Sequence, residues 1–209
     1  MKKKEQIDNK YNIITLGDSG VGKSSILCRY LENKFFENTV TTMGIAKTHR
    51  KITLRNGQEI TLVLNDTCGQ EKYSSLNKSY LKNADGVLFV FDLSDKRTLN
   101  NIKNWINFIQ ESKNIDKSIP KYLVGNKKDL ERDIDKNVID IFLEENRDFK
   151  YKETSAKIEN DNQIKELFQE MGEDLYIYAS GRKSNDKKNN IKIAGYNEKK
   201  KSKCLSCVV

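Results

Sequence analysis

Residues 17–24 read Gly17-Asp18-Ser19-Gly20-Val21-Gly22-Lys23-Ser24: a glycine, four free positions, then Gly-Lys-Ser. That spacing builds a phosphate-binding loop when a strand precedes it and a helix follows. The glycines let backbone N–H groups close round a phosphate, and the helix N-terminus adds a favourable dipole. The candidate phosphate contacts are Ser19, Gly20, Val21, Gly22, Lys23, Ser24 and Ser25. Lys23 reaches the outer phosphates, and the Ser24 hydroxyl is a ligand for Mg²⁺. Further on stands Asp66-Thr67-Cys68-Gly69-Gln70-Glu71. The Asp66 carboxylate suits Mg²⁺ held through water, Gly69 lets its N–H approach a γ-phosphate, and the Gln70 amide can orient an attacking water. Asn126-Lys127-Lys128-Asp129 adds base chemistry. A carboxylate at Asp129 accepts from N1–H and the 2-amino group of guanine, a donor pair that adenine lacks, and such a site rejects the analogue strongly. Asn126 can tie this segment to the phosphate loop, and the Lys127 stem can cover the base. In Thr154-Ser155-Ala156-Lys157 the small Ser155 and Ala156 allow the backbone to approach the base O6, with Lys157 over the ring. Phe35 is a candidate for the base edge, and Thr42 for both Mg²⁺ and γ-phosphate, with Thr41 as the competing threonine.

These groups need elements to hold them. Apolar runs predict strands over Asn12–Leu16, Ala46–Leu54, Glu59–Asn65, Gly86–Phe91, Lys121–Val124 and Phe149–Glu153. The turn Arg55-Asn56-Gly57 predicts that the second and third form an antiparallel hairpin. Continuous apolar runs at 87–91 and 122–124 suit parallel strands buried on both faces. Helical spacing predicts Lys23–Leu31, Ser74–Lys82, Leu99–Glu111, Asp135–Asn146 and Asn162–Ala179. Thr98 is the expected N-cap of the third helix, and Ile102, Trp105, Ile106 and Ile109 its apolar stripe, which makes Trp105 a core residue. The alternation implies an open α/β sheet with helices on both faces, and ligands bind such sheets at the C-terminal strand ends, where every motif above falls.

The chain of 209 residues suits one folded domain, 11–179, between an N-terminal extension, 1–10, and a polar tail, 180–209, expected to be disordered. Net charge is +8, but residues 182–203 hold nine Lys/Arg against two acids, so the remainder is near neutral at +1. The basic residues therefore belong to the tail, which carries one aromatic, Tyr196, and nucleic acid is not an expected partner. Four cysteines without paired metal spacing, and an N-terminus without an apolar leader segment, suggest a reducing compartment. No stretch reaches 18 apolar residues.

Taken together, Gly17–Ser24, Thr42-Met43-Gly44, Asp66-Thr67-x-Gly69-Gln70-Glu71, Asn126-Lys127-x-Asp129 and Ser155-Ala156-Lys157 resemble the five nucleotide motifs of Ras-superfamily small GTPases, in order and at family spacing. Within that superfamily the chain is most similar to Rab proteins, by Gly17–Ser25, Thr42-x-Gly44-Ile45, Ser79-Tyr80 and the paired C-terminal cysteines. The resemblance spans about residues 10–178. It implies a P-loop NTPase G domain with a six-stranded, mostly parallel sheet, helices on both faces and one antiparallel strand. It also implies GTP and GDP as ligands, Mg²⁺ as cofactor, and switch segments near 35–48 and 67–82. The implied activity is a slow GTPase that cycles as a molecular switch, with Gln70 and Lys23 as catalytic residues. Exchange factor, GTPase-activating protein, GDP-dissociation inhibitor and effectors are the implied partners, vesicle trafficking the implied setting, and a monomer the implied state. A non-cycling guanine-nucleotide scaffold and a Ras/Rho-like signalling GTPase are the alternatives; a phosphate-loop ATPase or kinase is disfavoured by Asn126-x-x-Asp129.

The departures fall beside the switches. Rab proteins usually carry tryptophan where this chain has Asn65, Asp-Phe where it has Ala46-Lys47, and alanine where it has Cys68. These changes spare the phosphate and metal contacts and are expected to alter what the switches show to partners. At the other end Cys204 and Cys207 do not match a C-a-a-X box, whose cysteine position is Ser206. By resemblance both are candidates for geranylgeranyl groups. With the lysines before them, they imply attachment to an anionic membrane surface, on the cytoplasmic face of an intracellular membrane, with a cytosolic pool.

Overall fold

The computed structural model describes residues 9–37, 46–66, 81–112, 115–159 and 162–182. Among them, strands β1 (Lys10–Leu16), β2 (Ala46–Thr53), β3 (Glu59–Asp66), β4 (Gly86–Asp92), β5 (Lys121–Asn126) and β6 (Phe149–Glu153) form one sheet in the order β2-β3-β1-β4-β5-β6. Only β2 runs antiparallel, paired with β3 from Ala46↔Asp66 to Thr53↔Glu59 across the Arg55-Asn56-Gly57 turn. The α/β architecture expected from the alternation is present. β4 is buried at all seven positions, which requires cover on both faces and explains its unbroken apolar run.

Helices α1 (Lys23–Glu32), α2 (Lys96–Gln110), α3 (Lys136–Glu145) and α4 (residues 162–182) complete the described elements. Tyr30 of α1 stacks on Phe168 of α4 with ring centroids 4.0 Å apart. Gly172 lets α4 settle on the hairpin, since a Cβ there would come within 2.7 Å of Ile52 Cδ1. The chain divides into two compact units, Met1–Leu175 and Tyr176–Val209. In the second, residues 176–182 are helical, and Ser180 Oγ donates to Tyr176 O at 2.8 Å. No helix among the described residues is long and apolar enough to cross a membrane.

Two local expectations are corrected, and a third is largely untested. Asp95, not Thr98, caps α2, its carboxylate accepting from Arg97 N. Thr98 lies one turn inside, where its hydroxyl donates to Asp95 O at 2.6 Å and accepts from Asp92 N at 2.9 Å. A hydroxyl satisfied by both neighbouring strand and turn leaves the helix start to the preceding aspartate. The buried stripe of α2 takes Phe108 rather than Ile106, which is only half-buried. Lastly, the helix expected over 74–82 falls mostly outside the described residues, and Leu81–Asn83 is a 3₁₀ turn.

Candidate functional site

β1 lies between β3 and β4, so the chain leaves it toward opposite edges of the sheet, and the crevice at such a point is where open α/β sheets take ligands. The Gly17–Ser24 loop leaves β1 here and enters α1. Gly17 sits at φ 146 and Gly22 at φ 97, both disfavoured for other residues. A Cβ on Gly17 would overlap the Val90 carbonyl oxygen of β4, and one on Gly22 would overlap the Asn126 side-chain amide. Two of the motif's glycines are thus required by close approach as well as by conformation. Gly20 stands in open space at φ 78.

The start of α1 differs from its neighbours. Asp95 and Asp135 cap α2 and α3 through their carboxylates. Gly22 caps α1 with no side-chain hydrogen bond, and no acid stands in the first turn. The backbone donors there are arranged for an external anion. Lys23 is buried, with Nζ donating to the carbonyls of Gly17 and Asp18 at 2.8 Å each, so its cation is held inside the loop.

The segments expected around the base are bonded to this loop and to each other. Asn126 is 1% exposed, and its Nδ2 donates to Val21 O at 2.9 Å. Its Oδ1 accepts from Thr154 Oγ1 at 3.2 Å and from Ala156 N at 3.3 Å. One amide therefore joins the phosphate loop, the end of β5 and the segment after β6. Ser155 Oγ donates to Asp129 Oδ1 and accepts from the N–H groups of Lys157 and Ile158. That leaves Asp129 oriented by a fully buried neighbour. Lys127 adopts the left-handed region at φ 62, and its Nζ pairs with Asp92 Oδ2 at 2.6 Å. Lys157 Nζ lies 3.5 Å from Glu37 Oε1. Just before the segment after β6, burial pushes the Glu153 carboxyl up, but bonds from Arg132 and Tyr151 outweigh it and hold the group below its usual range.

Asp66 is buried at the C-terminal end of β3, one strand away from the loop, while Ser24 and Ser25 are half-buried in the first turn of α1. The Asp66 carboxylate and the Ser24 hydroxyl are hard oxygen donors of the kind Mg²⁺ takes, so the described part of the expected donor set fits that ion. Ser19 is exposed, and Phe35 is half-buried. Thr41, Thr42, Gly69, Gln70, Cys68, Tyr80, Cys204 and Cys207 lie outside the described residues.

Two contributors were missed by motif reading. Arg29 of α1 is 6% exposed and donates to Ala156 O at 2.9 Å, Lys157 O at 3.2 Å and Asn33 O at 2.8 Å. It ties the far end of α1 to the base-side segment; in sequence it is simply a charged residue within a helix. Asp18 was read only as a free position of the loop, yet its carboxylate is bonded by α2. Asn65 is corrected as well. It is buried, with Nδ2 donating to Ile13 O and Val63 O at 3.1 and 3.2 Å, so its side chain belongs to the sheet and not to an outward face. Lys47, on the edge strand, is exposed and carries the departure outward.

Residues 12–177 match the model of the Ras family. The chain is 37% identical over 193 residues to the Ras-related protein RabH of Dictyostelium discoideum, covering 91% of this chain and 94% of that protein. It is 34% identical over 202 residues to the Ras-related protein SEC4 of Saccharomyces cerevisiae, covering 94% and 92%. With the Ras-related protein Rab-13 of Bos taurus it shares 31% over 201 residues, covering 94% and 96%.

Proposed function

The chain belongs to the Ras superfamily of small GTPases and is most similar to its Rab members, and from that premise we propose that it binds GTP and GDP and switches between them by slow hydrolysis. The observation that carries this reading is Asn126, whose single amide bonds the phosphate loop and both base-side segments into one site. A guanine nucleotide spans such a site. Asp129 would take the N1–H and 2-amino edge, Ala156 and Ser155 the O6 side, and Lys127, Lys157 and Phe35 the faces and rim of the base. Ser19 to Ser25 would hold the phosphates.

Hydrolysis adds water to the γ-phosphorus and releases GDP and inorganic phosphate. Its loose transition state needs positioning and positive charge more than covalent help. Gln70 orients the water, Lys23 offers its ammonium to the phosphates while the loop carbonyls hold it, and the loop N–H groups spread the developing charge. Ser24 and Thr42, with Asp66 through water, would hold Mg²⁺, which would supply further charge neutralisation. No arginine stands between residues 33 and 45, so the missing charge is expected from a GTPase-activating protein. The relative Ras turns over at roughly 10⁻⁴ s⁻¹ alone and about 10⁵-fold faster with an activator's arginine.

Thr42 and Gly69 would bind the γ-phosphate and order the two switches, and hydrolysis would release them. Effectors would read that difference at a membrane, in vesicle trafficking, with an exchange factor and a GDP-dissociation inhibitor completing the cycle. Single-turnover hydrolysis by the purified protein and by Gln70→Leu tests the proposal. Expected are bound guanine nucleotide in both proteins, slow turnover in the first and slower still in the second. Permanently bound GTP without turnover in the unmodified protein would make it a scaffold. Unchanged hydrolysis in Gln70→Leu would remove Gln70 from its role.

A further inference from the structure

Asp18 is the second residue of the phosphate loop and puts a negative charge beside the place proposed for an anionic ligand. Both of its carboxylate oxygens are taken by one helix. Asn101 Nδ2 donates to Oδ2 at 2.7 Å, and Trp105 Nε1 donates to Oδ1 at 3.1 Å. Asn101 and Trp105 are four residues apart, so one face of α2 presents both donors side by side. Trp105 is otherwise packed in the core, 2% exposed, with Phe108 edge-on to its ring. The Asp18 carbonyl is in turn one of the two acceptors of Lys23 Nζ. A short chain of bonds therefore runs from the core of α2, through Asp18, to the loop lysine.

We infer that Asp18 is a positioning residue: it locks the phosphate loop to α2, so that the loop's hold on a nucleotide diphosphate depends on Asn101 and Trp105. This rests on the nucleotide-binding reading above. The loop has three other restraints: the close approach of Gly17 to Val90 O, the Asn126–Val21 bond, and the Lys23 Nζ bonds to the carbonyls of Gly17 and Asp18. None of them holds the Asp18 side chain, which α2 fixes. Loss of the lock frees the loop's entry and the carbonyl that holds Lys23, without touching the base-side segments. Release of GDP is then faster, while preference for guanine over adenine is kept.

The chain has a single tryptophan, so one indole N–H peak in a ¹⁵N–¹H spectrum reports the Asp18 bond directly. In Asp18→Ala that peak should move away from its hydrogen-bonded position, and GDP should dissociate about tenfold faster, the scale of losing a hydrogen bond to a charged group. Asn101→Ala changes neither the loop nor the core and should give a smaller acceleration and a smaller displacement of the same peak. The GDP-to-ADP affinity ratio should stay at the unmodified value in both. An indole peak unmoved in Asp18→Ala, or GDP release unchanged there, overturns the inference. So does an Asn101→Ala protein identical to the unmodified one, because the effect would then bypass α2. If the unmodified protein retains no guanine nucleotide, the proposed function fails. The indole peak still shows whether the Asp18 bond itself exists.

Discussion

Asn126 is the residue at which the ends of the candidate site meet. Its amide uses donor and acceptor at once, inside the protein, on three partners in two other segments. Replacing it by alanine removes one partner from each of several buried polar groups, and each orphan costs about 1–3 kcal/mol. Asn126→Ala is therefore expected to melt several degrees lower and to release GDP faster. Thermal denaturation together with a nucleotide-release assay measures both, and an unchanged release rate would separate the bridge from binding. The close approach of Gly22 gives the same bond a steric side: any larger residue would press on the amide that makes it. Arg29 works in parallel at the other end of α1, where backbone carbonyls hold its buried guanidinium.

At the scale of elements, the helix starts divide by task. α2 and α3 satisfy their first turns with aspartates, whereas α1 begins at a bare glycine, open to a ligand. Asp95→Ala should cost about 1 kcal/mol of stability, the usual worth of such a cap, read as a lower denaturation midpoint with nucleotide affinity unchanged. The Arg97 hydrogen bond holds the Asp95 carboxyl below its ordinary 3.8, and Arg132 and Tyr151 hold Glu153 below its ordinary 4.5. A carboxyl depressed in the folded state adds stability above its unfolded pKa, and that stability is lost as pH falls through the folded value. Both contributions should be complete at neutral pH and decline below about pH 4.5. An acid titration of stability checks this, with the loss smaller in Asp95→Ala. At the sheet edge, Lys47, Arg50 and Lys51 of β2 are exposed, and positive charge there disfavours edge-to-edge pairing.

For the whole molecule the proposal is a tethered switch with a near-neutral folded body and a basic tail. The tail would add electrostatic attraction to an anionic leaflet, of about 1 kcal/mol for each lysine close to the surface. One lipid chain holds a protein only marginally, whereas two, or one with basic residues, hold it stably. Intact-mass analysis of the protein from its native cell should show one or two prenyl additions assigned to Cys204 and Cys207. A bare C-terminus would remove the anchor while leaving the nucleotide cycle intact.

The sequence by itself determined the sheet, its antiparallel hairpin and the place of the phosphate loop, Asp66, Asn126 and Thr154–Lys157 at strand ends. Burial on both faces writes continuous apolar runs, and a glycine-rich turn with Lys-Ser is short-range chemistry that spacing preserves. Sequence alone does not assign the cap of α2, because Asp95 and Thr98 are both good capping residues and the choice between them depends on the position of the Asp92 N–H. Asn65 could be read only as a missing tryptophan; its burial follows from the carbonyls that β1 and β3 bring within reach of its amide. Arg29 and Trp105 had no motif to mark them, and Asp18 stood at a free position of one. Their roles come from contacts between residues 83 to 128 positions apart in the chain, and only the tertiary structure decides such pairs. The local pattern named the candidate site residues, and the packing of α1 and α2 against the sheet selected those that hold them in place.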